Sequence, residues 1–299
     1  MARKSKAVLV GEEVAKAVPT RARNNLVVVS DLHIGCQMGL LHPDGLARRG
    51  GSTHPPSELQ LKIWAMWEYF WTIFVPEVCH GEPFDVLING ETVDGVHHGN
   101  VTAITQNMRD QLKGAIDTLE KGLLPHIKKV GGRLYVNAGT IVHSGDEGCN
   151  DDTVAEALGA IPDKYGHYAR YSIKLRVGDA VVFAAHKIMG NRSPWYETTA
   201  PHVALSKGIY NAGRWGKTLP DFLIRSHRHQ YVETRIGTHK GFGASVVTPA
   251  WQAPTPWFMQ NVDPDGNPQF GGIVIRQGDQ EAYTRVKVWT FEKESDDIE

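Results

Sequence analysis

Long hydrophobic runs are missing from this chain. The apolar stretch after the basic start, "MARKSKAVLVGEEVAKAV", is broken at Gly11, Glu12 and Glu13, and no other run approaches the ~20 residues of a membrane helix. Neither a cleavable leader nor a membrane span is expected. Paired cysteines are missing too. Cys36, Cys79 and Cys149 are odd in number and show no CxxC spacing, which fits a reducing, cytoplasmic setting. There is no excess of charge: 32 basic residues face 33 acidic ones, net −1, so the bulk balance advertises neither a nucleic-acid nor a membrane partner. Internal repeats and low-complexity linkers are also absent, which excludes a solenoid.

What is present suffices for a sizeable core: 299 residues with 41% hydrophobic and 22% charged content. Residues 1–24 read as a polar lead-in, 25–290 as one domain with two sheets, and 291–299 as an acidic tail. "NLVVVS", "FDVLING" and "RLYVNAG" read as buried strands. Between them fall two helices. One spans 57–75 and opens on a capping box from Ser57 to Gln60; the other spans 101–132 and ends in basic residues and glycine. This β-α-β-α-β order predicts a layered α/β domain with a largely parallel sheet. Residues 41–56 read as a long surface loop and 151–161 as a short helix. The second half is strand-rich: "YSIKLRV" and "AVVFAAH" around a Gly178-Asp179 turn, then a helix near 201–212, "DFLIRS", "ASVVTPAW", "GGIVIRQG" and "TRVKVWTFE".

Fourteen histidines matter less by number than by place. Four predicted strands end in metal-ligand residues: Asp31-Leu32-His33, Glu91-Thr92-Val93-Asp94, His186, and His227-Arg228-His229. The C-terminal edge of an α/β sheet is where sites are built. Residues one and three of D-x-H or H-x-H reach one centre when the backbone is extended or turning. Each short motif alone reads as easily as a turn or a surface pair; four at strand ends in this order do not.

The arrangement resembles the calcineurin-like metallophosphoesterases from about residue 25 to 252, and in motif spacing looks most like the bacteriophage-encoded members. Their D-x-H appears as Asp31 and His33. Their G-D-x-x-D appears as Gly90, Glu91 and Asp94, with Glu in the first acid place. Their lone histidine is His186, and their G-H-x-H is Ser226, His227 and His229. Their G-N-H element is the poorest match, "NAGTIVHSGDEG". Either Thr140 or Asn137 stands where the family has an amide ligand, and His143 is the candidate for its catalytic acid.

The resemblance implies a four-layer α/β/β/α sandwich of two mixed sheets flanked by helices. It also implies two divalent transition metals, one on Asp31, His33 and His229, the other on His186 and His227, with Glu91 bridging. Nitrogen and carboxylate donors suit Mn²⁺ first, with Fe, Zn²⁺ or Ni²⁺ as alternatives. Asp94 would orient a ligand histidine. His97 and His98 line the phosphate site or are exposed loop residues. Arg228 reaches phosphate or solvent, Lys187 and Arg192 form a positive rim, and Trp195 and Tyr196 stack a base or pack in a loop. The expected activity is phosphoester hydrolysis on a nucleotide, small diester or DNA, with no membrane partner. The rival is a catalytically impaired member acting as a binding or structural protein, supported by Glu91 and the altered third element. An amidohydrolase would open on H-x-H, which here comes late. If Glu91 is a strained bridge, Glu91→Asp raises metal occupancy or turnover.

Overall fold

Val27 and Val29 face one hydrophobic cluster and Leu26 and Val28 another, so strand β1 (Asn25–Val29) has no solvent face. The computed structural model describes residues 23–97, 101–189, 194–263 and 266–291. Most of the expected lead-in and acidic tail, together with His98 and Arg192, lie outside the described residues.

After β1 come a two-stranded ribbon, β2 (Leu46–Ala47) and β3 (Thr53–His54), and helix α1 (Glu58–Tyr69). Helix α1 starts where the sequence places it, with Ser57 and Gln60 closing a reciprocal capping box. It runs on through a π-helical turn, Phe70–Phe74, into a last α-turn, Val75–Val78. The wider turn buries the consecutive Phe70 and Trp71 side by side. Next come β4 (Asp85–Asn89), α2 (Met108–Gly122), α3 (Leu124–Lys129) and β5 (Leu134–Asn137). Short α4 (Ile141–Ser144), α5 (Cys149–Ala157) and β6 (Ala169–Arg170) follow. The hairpin β7 (Ile173–Val177) and β8 (Ala180–Ala184), α6 (Thr199–Trp215), β9 (Phe222–Arg225), β10 (Val232–Thr238) and β11 (Gly241–Val247) come next. Helix α7 (Pro256–Asn261) and strands β12 (Phe270–Gln277) and β13 (Ala282–Trp289) complete the described chain.

The strands form a six-stranded mixed sheet, β13-β12-β1-β4-β5-β6, and a five-stranded mixed sheet, β10-β11-β9-β8-β7. They stack face to face through Leu26, Val28, Leu87, Ile273 and Ile275 on one side and Val182, Phe222, Ile224, Ala244 and Val246 on the other. Helices α1, α2 and α5 cover the outer face of the first sheet through Ile63, Trp64, Trp67, Ala115, Leu119, Val154 and Ala155. Helix α6 lies on β10 and β11 of the second. This is the four-layer α/β/β/α sandwich of two mixed sheets.

Two expectations change. The helix expected over 101–132 begins only at Met108, because Asn107 caps it by accepting from Arg109 N. It breaks at Leu123, just before Pro125, whose ring and missing N–H cannot continue it. The loop 41–56 carries the β2-β3 ribbon, and Leu41 and Leu46 are buried against Ile104. Trp67 is fully buried, donates to Gly122 O at 2.9 Å, and meets Trp251 edge-on at 4.8 Å. Trp67→Ala is expected to cost about 3–5 kcal/mol, read as a lower midpoint in urea unfolding with an unchanged slope.

What positions the site is the parallel core of each sheet. β1, β4 and β5 are parallel neighbours, as are β8, β9 and β11, so their C-terminal ends share an edge. The two edges are stitched together by Asn89, whose Nδ2 donates to Ser226 Oγ at 2.7 Å and to Ala185 O at 3.3 Å.

Candidate metal centre

Asp31, His33, Glu91, His227 and His229 all hold a positive φ, between 45° and 76°. Among the described residues only His80 and Glu147 are other non-glycine cases, so this strain is concentrated at the strand ends. Of the two backbone forms expected for D-x-H and H-x-H, extended or turning, the chain takes the turning one. Each strand has ended, and a left-handed residue at both positions one and three aims the pair inward. Asp and His tolerate that conformation better than most residues, though it still costs about 1 kcal/mol or more apiece. Gly90 does what no side chain could. Its φ is 94°, and a Cβ there would lie 2.7 Å from His186 Nδ1.

The six residues meet. Glu91 Oε2 is 3.2 Å from His33 Nε2, while Glu91 Oε1 is 3.1 Å from His186 Nε2 and 3.5 Å from His227 Nδ1. Asp31 Oδ1 is 3.4 Å from His229 Nε2 and 3.9 Å from His186 Nε2. From these six come two groups able to hold a cation, Asp31-His33-Glu91-His229 and Glu91-His186-His227, with donor atoms in each within 4.8 Å of one another; a third group of the same kind, His33-Asp94-His143, lies beside the first and shares His33 with it. Glu91 belongs to both, one oxygen turned to each.

The donor atoms test whether a metal fits. His186 Nδ1 donates to Asn89 O at 2.7 Å, so its Nε2 lone pair points at Glu91. His33 Nδ1 lies 3.3 Å from Asp94 Oδ1, which turns Nε2 towards Glu91 Oε2 and His229 Nε2. Lone pairs facing lone pairs need a positive charge between them. Asp31 Oδ1, His186 Nε2 and His227 Nδ1 are buried without a hydrogen-bond partner. Imidazole and carboxylate donors with orphaned lone pairs fit a borderline transition metal.

The electrostatics say the same. Burial works against charge on His33, but hydrogen bonds with Asp94 and Glu91 outweigh it and raise its pKa to about 10. His186 is raised to about 9, where Glu91 and Asp31 overcome burial. Burial of Glu91 is likewise outweighed by His186, His227 and His33, which hold its pKa well below the usual value. Asp31 is lowered too, by His186 and His229 against burial. The cluster draws in positive charge.

Around the cluster, Thr140 donates its hydroxyl to Glu91 Oε1 at 2.6 Å and its N–H to the same oxygen at 3.3 Å. Asn137 stays in its strand and donates to Asn89 Oδ1 at 2.8 Å, within the layer between the sheets. His143 sits on α4, its Nδ1 held by Asp94 O at 2.5 Å and its ring edge-on to His33 at 4.6 Å. Burial, then the charge on His33, pushes its pKa down to about 4. Asp94 faces His33 and accepts from Gln252 Nε2 at 3.4 Å. His97 Nε2 is 3.7 Å from Asp94 Oδ2, and its ring packs edge-on against His143. Arg228 is half-buried and donates to Glu197 O at 2.8 Å. Trp195 and Tyr196 stand exposed.

Several residues outside every motif shape the floor. Ser30 Oγ donates to Asp31 Oδ2 at 2.5 Å and pairs with Thr248 Oγ1 at 2.7 Å. Thr248 pairs in turn with Ser226 Oγ at 2.8 Å, so the Ser226 hydroxyl links the end of β9 to this network. Asp151 accepts from Thr92 N at 3.0 Å, Gly139 N at 2.9 Å and Ser144 Oγ. Only strand-end polarity hints at Ser30, Asn89 and Ser226; nothing local in the sequence signals Asp151, Thr248 or Gln252. The cluster opens into a cavity of about 960 Å³ whose walls include His97, Ile141, His143, Lys187, Arg228 and Trp257. No helix among the described residues is long and apolar enough to cross a membrane.

No protein-family model matches the chain, and no curated protein matches it. Among solved structures it is similar to a Vps29 mutant from Entamoeba histolytica, with 12% identity over 89% of this chain and 99% of that one, at a TM-score of 0.35. A conserved protein from Streptococcus pneumoniae described as a predicted phosphoesterase shows 11% identity, coverage of 90% and 100%, and a TM-score of 0.32. A metallophosphoesterase from Sphaerobacter thermophilus shows 12% identity, coverage of 90% and 88%, and a TM-score of 0.35. Likenesses this distant carry no argument about activity; the geometry at the strand ends does.

Proposed function

We propose that the protein is a metal-dependent phosphoester hydrolase of the cytoplasm, with two divalent transition metals at the shared strand edge. The observation that carries this is Glu91, whose two oxygens face two separate groups of nitrogen and carboxylate donors. Asp31, His33 and His229 would hold one ion, His186 and His227 the other, and Glu91 both. Mn²⁺ is the first choice, with Fe, Zn²⁺ and Ni²⁺ as the other fits. When bound, such a pair polarises the phosphoryl oxygens and lowers the pKa of a water that attacks phosphorus.

The chain's own side chains do the rest. Asp94 fixes the His33 ring through Nδ1, and Asn89 O fixes His186 through its Nδ1. Thr140 holds Glu91 Oε1 in place. His143 handles the proton of the leaving oxygen at Nε2, since its Nδ1–H is committed to Asp94 O. Burial and the charge on His33 push its pKa down to about 4, and the negative charge of a phosphoester beside it would favour the protonated ring. His97 and Arg228 line the same cavity, and in this reading His97 would face the phosphate, as would whichever Arg228 N–H groups its bond to Glu197 O leaves over.

The test is hydrolysis of bis-p-nitrophenyl phosphate by the protein supplied with Mn²⁺, alongside elemental analysis of the dialysed chain. We expect turnover and two ions per chain. His229→Ala should lower the rate by more than ~100-fold, since loss of an outer partner alone costs about 10- to 100-fold. Neither retained metal nor turnover would instead favour a binding or structural role.

A further inference from the structure

Helix α7 reads PWFMQN, and none of its residues is buried. Trp257 is 59% exposed, while Phe258 and Met259 are half-buried. A helix of that composition ordinarily spends its apolar atoms on the core, so apolar surface left open beside a cluster of ligands marks a contact surface. It is firmly rooted. Trp251 N donates to Asp31 O at 3.0 Å, Gln252 Nε2 to Asp94 Oδ1 at 3.4 Å, and Thr255 Oγ1 caps the helix by accepting from Phe258 N at 3.3 Å. Trp257 is therefore fixed relative to two acids of the floor by a span of seven residues.

A second apolar segment is anchored in the same way. Ile141 and Val142, 66% and 39% exposed, sit on α4 between Thr140, which binds Glu91, and His143, which binds Asp94 O. Both segments line the one cavity. Among the described residues, only Lys187 and Arg228 bring permanent positive charge to its lining, and Arg228 is engaged by Glu197 O. A track for a polynucleotide backbone needs several such charges in a row.

Resting on the phosphoester reading of the metal centre, we propose that the cleft takes small phosphoesters bearing one flat apolar group, an aryl ring or a nucleobase, which stacks on Trp257 while the phosphoryl group lies at the cluster. Stacking of a ring on an indole is sequence-tolerant and wants apolar surroundings, which Ile141, Val142 and Phe258 supply.

Methyl phosphate, phenyl phosphate and thymidine monophosphate, titrated calorimetrically into the manganese-loaded full chain, test this without needing turnover. Phenyl phosphate and the thymidine ester are expected to bind about tenfold or more tightly than methyl phosphate, the worth of one stacked ring. Trp257→Ala should abolish that margin, and Trp257→Phe should keep part of it. Equal affinity for all three phosphates overturns the proposal, as does a margin that survives Trp257→Ala. So does an oligothymidylate that binds more than about tenfold tighter than thymidine monophosphate, the mark of a polymer track. A margin for phenyl phosphate alone supports the proposal with an aryl group as the ring. The hydrolase reading fails separately: a margin with no turnover of bis-p-nitrophenyl phosphate sinks that reading and leaves the stacking site standing.

Discussion

Shortening Glu91 to Asp is expected to lower both metal occupancy and phosphodiester turnover, by about 10- to 100-fold. The sequence suggests the opposite, since a glutamate standing where the resembled family has aspartate looks like a bridge pushed too far into the site. The structure removes that reason. Glu91 Oε2 lies 3.2 Å from His33 Nε2 and Glu91 Oε1 3.1 Å from His186 Nε2, so the longer side chain already spans both donor groups. Its extra methylene has a place prepared for it. A Cβ on Gly139 would fall 2.4 Å from Glu91 Cγ, so the glycine leaves room for that carbon. Thr140 then donates to Glu91 Oε1 at 2.6 Å. Retracting the carboxylate by one bond, about 1.5 Å, breaks the Thr140 bond and withdraws an oxygen from each group at once. Glutamate and threonine act here as a matched pair. Converting both, Glu91→Asp with Thr140→Asn, should recover part of the loss, because the amide oxygen then offers the donor the shorter acid gives up. Elemental analysis after dialysis, with the Mn²⁺ dependence of bis-p-nitrophenyl phosphate hydrolysis, decides it. Higher occupancy in Glu91→Asp alone would show that the bridge is strained after all, and unchanged occupancy and turnover would show that Glu91 does not bridge.

The residues of the strand edge were legible because strand ends announce themselves: a β-branched run that stops on a polar residue is visible in one dimension. So were both sheets, the capping box at Ser57 and the hairpin at Gly178. What escaped was whatever depends on tertiary partners. Strand β10 (Val232–Thr238) alternates too weakly to show, Val232 being its one buried residue, and is held by pairing with β11. The break at Leu123 required weighing Pro125 against strong helical periodicity on both sides. The left-handed φ of Asp31, His33, Glu91, His227 and His229 has no composition signal, since only glycine advertises that conformation. Asn137 could be read as a ligand from its neighbours alone; its pairing with Asn89 across adjacent strands turns it into the layer between the sheets.

Asp151 is the residue whose loss should be felt most widely, although no motif contains it. It lies in the first turn of α5, fully buried, and its carboxylate accepts from Thr92 N, Gly139 N and Ser144 Oγ. Thr92 follows Glu91, Gly139 precedes Thr140, and Ser144 follows His143, so one side chain ties together the loops that carry the bridging acid, its clamp and the proton carrier. Asp151→Ala leaves the Thr92 N–H and the Ser144 hydroxyl without their acceptor, while Gly139 N keeps Ser144 Oγ at 2.8 Å; at about 1–3 kcal/mol for each lost partner, a loss of roughly 2 kcal/mol or more is expected. For a chain of this size that is a fall in melting temperature of about 4 °C or more. Asp151→Asn keeps the volume but turns two N–H donors towards groups that also donate, so it should recover little. Turnover should fall by at least about 10-fold even well below the melting temperature, because Glu91 and His143 lose their common anchor. The sign that Asp151 acts through the cluster is metal dependence. Ions that bind the folded chain stabilise it by mass action, so saturating Mn²⁺ should raise the melting temperature of the wild type by more than that of Asp151→Ala, whose loops bind metal less well. Circular-dichroism melts of both proteins with and without Mn²⁺ measure the difference. Equal shifts would leave Asp151 a purely structural tie, with no bearing on the metal centre.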